Sequence, residues 1–270
     1  MPRLDFDSCD HKGKLGTFSN NVCESLLSHK ALVLESLHIS FSTYKCDATE
    51  IGMWIGIAYA QHVRKLVLDV ESRGGFELPR SLYNCEILET LRLKAGSFYL
   101  NDQVCLKSLK TLYLHPNSVI SEASFVNLLS GCPNLENLVV HTLPKSRSLT
   151  TFTISVPSLL RLSISKQSNY SCSYVINAPS LKYLKIEANH KFEFRLIESV
   201  TNLVEAHLLI ENASPMVSEN LMSLLTSAKR LSLELLPMQV GFQIFLQSVE
   251  LLVVITLFHV RTNTAPYALD

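Results

Sequence analysis

Apolar residues keep returning in one short phrase along the chain. An aliphatic residue is followed by two others, a second aliphatic, one other and a third, as in Leu88-Glu89-Thr90-Leu91-Arg92-Leu93 and Leu109-Lys110-Thr111-Leu112-Tyr113-Leu114. The phrase begins at positions 34, 63, 88, 109, 135, 159, 181, 203 and 228, the last two in weaker form, so successive starts lie 21 to 29 residues apart. Its closing alternation predicts a short strand with one apolar face, because successive side chains of a strand point to opposite sides. A lone strand cannot bury that face, so each needs a like neighbour beside it. Three phrases follow a proline and a small polar residue: Pro133-Asn134-Leu135, Pro157-Ser158-Leu159 and Pro179-Ser180-Leu181. Proline fixes φ and ends whatever precedes it.

Between the phrases the pattern changes. After Asp47-Ala48-Thr49-Glu50, the residues Ile51, Trp54, Ile55 and Ala58 fall on one helical stripe, which puts the single tryptophan in the core. Ser121-Glu122 can cap a helix with Phe125, Leu128 and Leu129 inward, and Ser218-Glu219 opens another with Leu221, Leu224 and Leu225 inward. The segments after the phrases at 135 and 159 lack this spacing and predict extended or irregular returns. One strand every 20–29 residues or so is the period of a leucine-rich repeat. The expected fold is therefore α/β, a leucine-rich-repeat solenoid: a curved parallel sheet on the concave face, with helices and irregular returns on the convex face. Residues 1–31 are a weakly patterned N-terminal segment, where Val22 to Leu27 suit a helical turn or two. Residues 32–236 hold about nine repeats, and 237–270 form a divergent tail. The apolar run Leu251 to Phe258 in that tail is far shorter than the roughly 20 residues of a membrane span. It reads as a last buried strand or an abnormal end to the solenoid, with an exposed apolar surface as its liability.

Composition narrows the chemistry. Lys+Arg and Asp+Glu both number 24, so formal charge is zero and neither nucleic acid nor an anionic membrane is an expected partner. The seven cysteines are widely spaced with no C-x-x-C pair, which gives a zinc site little support. The N-terminus is polar, without the apolar core of a signal peptide, so a reducing compartment with free, packed thiols is expected. In that setting Asn169-Tyr170-Ser171 and Asn212-Ala213-Ser214 read as chance matches to a glycosylation pattern. Cys85 and Cys132 each stand three residues before a first leucine, a packing position in a turn rather than a reactive one. No nucleophile elbow, zinc helix or phosphate loop is present, so neither an enzyme nor a cofactor is expected.

Candidate chemistry lies on the face opposite the leucines. The central outward column is His38, Val67, Arg92, Tyr113, Val139, Ser163, Lys185, His207 and Ser232. Flanking it are Thr111, His115, Asn137, His141, Arg161, Tyr183, Glu187, Glu205, Arg230 and Glu234. Tyrosine and arginine are frequent interface anchors. The candidate partner-binding residues are Arg92, Tyr113, His141, Arg161, Tyr183, Lys185 and His207. His115 and His141 fall on adjacent strands, where two histidines make a metal pair conceivable but not a site; exposed polar histidines are the plainer reading.

Three stretches carry a family resemblance: Ser28-His29-Lys30-Ala31-Leu32-Val33-Leu34-Glu35-Ser36-Leu37; Ile51 to Ala58 running into His62-Val63-Arg64-Lys65-Leu66; and Leu128-Leu129-Ser130-Gly131-Cys132-Pro133-Asn134-Leu135-Glu136-Asn137-Leu138. Through them, residues 1 to about 235 resemble the plant F-box/FBD/leucine-rich-repeat proteins. The resemblance implies a substrate receptor of a cullin-RING ubiquitin ligase, non-enzymatic itself, whose repeats hold a protein substrate. It implies a cytoplasmic or nuclear protein. A Skp-type adaptor and cullin are expected partners only if a docking element exists, since neither an F-box nor an FBD segment is recognisable in the chain. The alternatives are a truncated family fragment without adaptor docking or function, or a repeat receptor for a small ligand lined by Arg92, Tyr113 and Arg161.

Overall fold

The structure is a computed structural model, and it describes residues 2–8, 15–29, 33–42, 48–71, 76–95, 98–115, 121–142, 150–166, 172–189, 192–196, 202–211 and 228–236. The helix expected at Ser218, the Asn169 and Asn212 sequons, and the tail from 237 lie outside these residues. The chain divides into two units, Met1–Lys145 and Ser146–Asp270.

In the first unit the main sheet is parallel and made of β1 (Arg3–Asp7), β2 (Ser36–Ser42), β3 (Lys65–Glu71), β5 (Thr90–Ala95), β7 (Thr111–Leu114) and β8 (Asn137–Thr142), side by side in that order. Two-residue strands β4 (Phe76–Glu77) and β6 (Phe98–Tyr99) pair separately on the returns. Register follows the leucine phrase: Leu37, Leu66, Leu91, Leu112 and Leu138 stand beside one another across five strands. Each is at most 1% exposed. Burying one such side chain contributes roughly 1.5–3 kcal/mol, and a parallel neighbour supplies the apolar wall each one needs.

The returns of this unit are helical where the sequence has helical spacing. Helix α2 (Ala48–Ala60) buries Ile51, Trp54, Ile55 and Ala58, the four stripe residues. Phe18 of α1 (Leu15–Ser28) and Phe41 of β2 meet the Trp54 ring edge-on at 5.7 and 6.0 Å. A short helix α3 (Arg80–Tyr83) follows, then α4 (Glu122–Ser130). The Ser124 amide donates to the Ser121 hydroxyl, which caps α4, and Phe125, Leu128 and Leu129 are buried.

The N-terminal segment differs from its sequence reading. Arg3–Asp7 is a strand in register with β2, Leu4 beside Leu37 and Phe6 beside Ile39, and α1 is its return. Only two apolar residues stand among three charged ones there. That mixture hides the strand from periodicity, yet it suits a half-buried strand at a sheet edge.

In the second unit β10 (Arg161–Lys166), β12 (Tyr183–Asn189), β14 (Glu205–Glu211) and β15 (Arg230–Leu236) form the main parallel sheet. The returns after the phrases at 135 and 159, expected to be extended or irregular, are the strands β9 (Thr150–Ser155) and β11 (Cys172–Asn177); with β13 (Phe192–Leu196), after the phrase at 181, they pair in parallel as a second sheet. Alternation explains them. Phe152 and Ile154 on β9, and Tyr174 and Ile176 on β11, are buried, and the Phe152 and Tyr174 rings stack at 5.5 Å.

The proline phrase is a turn. The Leu135, Leu159 and Leu181 amides donate to the carbonyls of Cys132, Val156 and Ala178, three residues back, at 3.0–3.2 Å. Proline therefore occupies the second position of a four-residue turn, where its fixed φ is already correct. The first position points inward: Cys132, Val156 and Ala178 are all at most 2% exposed. Burial pushes the Cys132 thiol up to about 12 and raises that of Cys85 as well, so both are inert packing groups. Just before the first of these turns, a β-carbon on Gly131 would lie 2.2 Å from the Val104 carbonyl oxygen, which leaves room for glycine alone.

Candidate functional site

The outward side chains are set by the same register as the leucines. In the first unit Val67, Arg92, Tyr113 and Val139 stand side by side across β3, β5, β7 and β8, with Asp5 and His38 extending the row to β1 and β2. In the second unit Ser163, Lys185, His207 and Ser232 do the same across β10 to β15. Alternation on a strand plus parallel pairing thus makes two ordered grids of outward groups.

Three of the candidate binding residues are in the first unit. The Arg92 guanidinium sits over the Tyr113 ring, 5.9 Å from its centroid, a weak cation–π contact that keeps the arginine's fork near the strand. His141 stacks on His115 with ring centroids 4.2 Å apart and planes 12° from parallel. The two are half-buried, not exposed. Burial holds the His115 imidazole down to about 4, and the neighbouring His141, Arg92 and Lys94 push the same way, against Asp69 alone. At neutral pH this ring is therefore uncharged. No cluster of three metal-ligating side chains exists among the described residues.

Sequence reasoning missed two members of this row. Lys94 follows Arg92 by two residues and Asp69 follows Val67 by two, so alternation places both outward; they pair in register and form a 2.7 Å ion pair.

The other four candidates are in the second unit. The Arg161 guanidinium lies over the Tyr183 ring at 4.6 Å. Lys185 pairs with Glu187 at 2.7 Å. The His207 ring nitrogen is 3.0 Å from one Glu205 carboxylate oxygen, and Arg230 is 3.5 Å from the other. Exposed pairs of this kind contribute about 0–1 kcal/mol each, so their role is to fix side-chain positions and balance charge. A shallow depression of about 190 Å³ lies over Lys185, Glu187, His207 and Ser232. It is smaller than the roughly 300 Å³ at which ligand pockets begin.

Among the described residues no helix is long and apolar enough to cross a membrane. Among the described residues the candidates lie on surfaces: two sheet faces with tyrosines, arginines and histidines held at strand spacing.

Known proteins share this repeat pattern. The family model described as FBD-associated F-box protein At5g56370, LRR repeats, matches residues 51–201, more than half of the chain. The F-box/LRR-repeat protein At3g26922 of Arabidopsis thaliana is 50% identical over 248 residues, which cover 90% of this chain and 79% of the relative. The putative F-box/FBD/LRR-repeat protein At4g13965 of the same plant is 49% identical over 245 residues, covering 90% of this chain and 56% of the relative. The putative FBD-associated F-box protein At1g55030, also from Arabidopsis thaliana, is 46% identical over 242 residues, covering 88% and 56%. The chain thus spans most of the first relative and little more than half of the other two. No solved structure matches it. With its solenoid register and about half of its residues identical to those of relatives over 90% of its length, the chain belongs to the FBD-associated F-box family of leucine-rich-repeat proteins.

Proposed function

We propose that the chain is the substrate-recognition part of an F-box ubiquitin-ligase receptor, and that it binds a protein on the outward faces of its main sheets. The observation that carries this reading is the pair of register-locked grids, each with an arginine laid over a tyrosine. These residues are common interface anchors. Held at strand spacing on a rigid sheet, they lose little freedom on binding. Family membership supports a role in protein interaction, and the ligase chemistry itself belongs to other subunits. In this reading the protein works in the cytoplasm or nucleus, and it has no catalytic residue of its own. The small-ligand alternative is less favoured, because the depression over Lys185 and His207 is shallow and small.

The test is co-precipitation of the full chain from plant extract, followed by probing for a Skp-type adaptor and cullin and by cross-link mapping of captured proteins. Adaptor and cullin capture, with substrate cross-links on the outward strands, is the expected result. Capture of other proteins without adaptor would leave a free binding module. Cross-links that avoid both outward faces would overturn the binding surface.

A further inference from the structure

The two grids differ in charge. The strands β12, β14 and β15 of the second unit all carry glutamate, and Lys185 and Arg230 are paired with Glu187 and Glu205. In the first unit the adjacent strands β5, β7 and β8 contain no aspartate or glutamate at all. They present Arg92, Lys94, Tyr113 and Val139 outward, with the His115–His141 stack at their end. Asp69 on β3, the strand next to these three, is already held by Lys94, and Asp5, in the row of Arg92 but on β1, lies 3.0 Å from His38. Arg92 makes no ion pair among the described residues; its guanidinium rests on the Tyr113 ring face. A guanidinium stacked on a ring keeps its N–H edge free, and that edge matches a carboxylate in bidentate geometry.

We propose that the outward face of β5, β7 and β8 seats an acidic, extended segment of the partner protein, with one carboxylate on Arg92, others drawn to Lys94, and apolar side chains against Tyr113 and Val139. The proposal rests on the protein-binding reading above and names the chemistry of the partner. Charge complementarity argues for it: the three neighbouring strands carry no acid, Lys94 is paired with Asp69 of the next strand, and Arg92 stands beside aromatic surface with no ionic partner among the described residues. An anion placed beside Arg92 gains a charge-assisted, two-pronged contact with its guanidinium.

The test uses the full chain and a fluorescein-labelled dodecapeptide of alternating glutamate and alanine, with a glutamine–alanine peptide for comparison. Fluorescence anisotropy should show the glutamate peptide bound at least about tenfold more tightly. Arg92→Gln should weaken it by about tenfold, and Arg92→Lys should recover only part, because lysine lacks the fork. Both variants should keep the parent melting temperature, since Arg92 is exposed. Lys107→Gln, in an exposed turn, should bind as the parent does. Equal binding of glutamate and glutamine peptides, or indifference to Arg92→Gln, would overturn the proposal. So would binding of a phosphoserine version alone, which would make the site one for phosphate. If captured proteins cross-link to these strands while the two peptides bind alike, the acidic segment is refuted and the binding face stands.

Discussion

At the scale of single residues, the outward groups take their chemistry from who stands beside them on the next strand. His115 is the clearest case. Its strand position puts it next to His141 on one side and in the row of Lys94 and Asp69 on the other. Burial and three cationic or potentially cationic neighbours hold its pKa down to about 4, against about 6.5 when unfolded. Between those values the unfolded chain binds the proton and the folded one does not. Stability is therefore complete above about pH 6.5 and falls as pH drops toward 4. After allowance for solvent screening, the effect is of the order of 1 kcal/mol. His115→Gln should flatten the dependence: thermal midpoints at pH 7 and pH 4.5 should differ less in the variant than in the parent. An equal drop in both would assign the acid sensitivity to other groups. The stack was only half legible in the sequence. Spacing put His115 and His141 on adjacent strands, but burial and ring stacking depend on the packing around them.

At the scale of elements, the chain shows two ways of returning from one strand to the next. Among the described residues, the first unit uses helices α1 to α4, with the short strands β4 and β6, and the second uses β9, β11 and β13. Helical spacing announced α2 and α4 down to their buried residues, because a stripe at Ile51, Trp54, Ile55 and Ala58 has the period of a helix and not the alternation of a strand. The extended returns were legible as non-helical, yet their pairing was not, since short strands such as Thr150–Ser155 reveal a partner only through a neighbour of like pattern. Glycines separate fit from tolerance within the helical returns. Gly131→Ala would drive a methyl into the Val104 carbonyl and should destabilise by about 1–3 kcal/mol. Gly56, inside α2, has nothing within 4 Å of its would-be β-carbon. Gly56→Ala should therefore stabilise by about 0.5–1 kcal/mol. Thermal melts should move in opposite directions, and a matching shift in both would refute the close approach at Gly131.

At the scale of the molecule, each unit is quasi-one-dimensional: a repeat, its strand and its return together, is stabilised chiefly by the repeats on either side. Leu138 shows what this means. It is fully buried and faces Leu112 on the neighbouring strand. Leu138→Asp would put a carboxylate into that column at a penalty of several kcal/mol. Circular dichroism should show the first unit's cooperative transition lost or lowered far below the parent's, and an unchanged transition would mean the register is wrong. The fold was legible at this scale because a single sequence phrase is read many times, so chance errors in one copy are corrected by the others. β1 escaped for the converse reason, having no complete copy of the phrase. The constancy of that phrase has one more consequence. From the turn to the third apolar residue of the phrase there are nine residues in each of five successive copies: 85–93, 106–114, 132–140, 156–164 and 178–186. Across these five copies the variation in repeat length therefore falls in the returns. An inserted residue there lengthens a loop at small entropic cost, whereas the same residue between turn and strand would turn the leucines outward and the arginine and tyrosine inward. Insertions in this chain are thus silent or ruinous by address alone, and natural length variants should cluster in the returns and spare the nine-residue ruler.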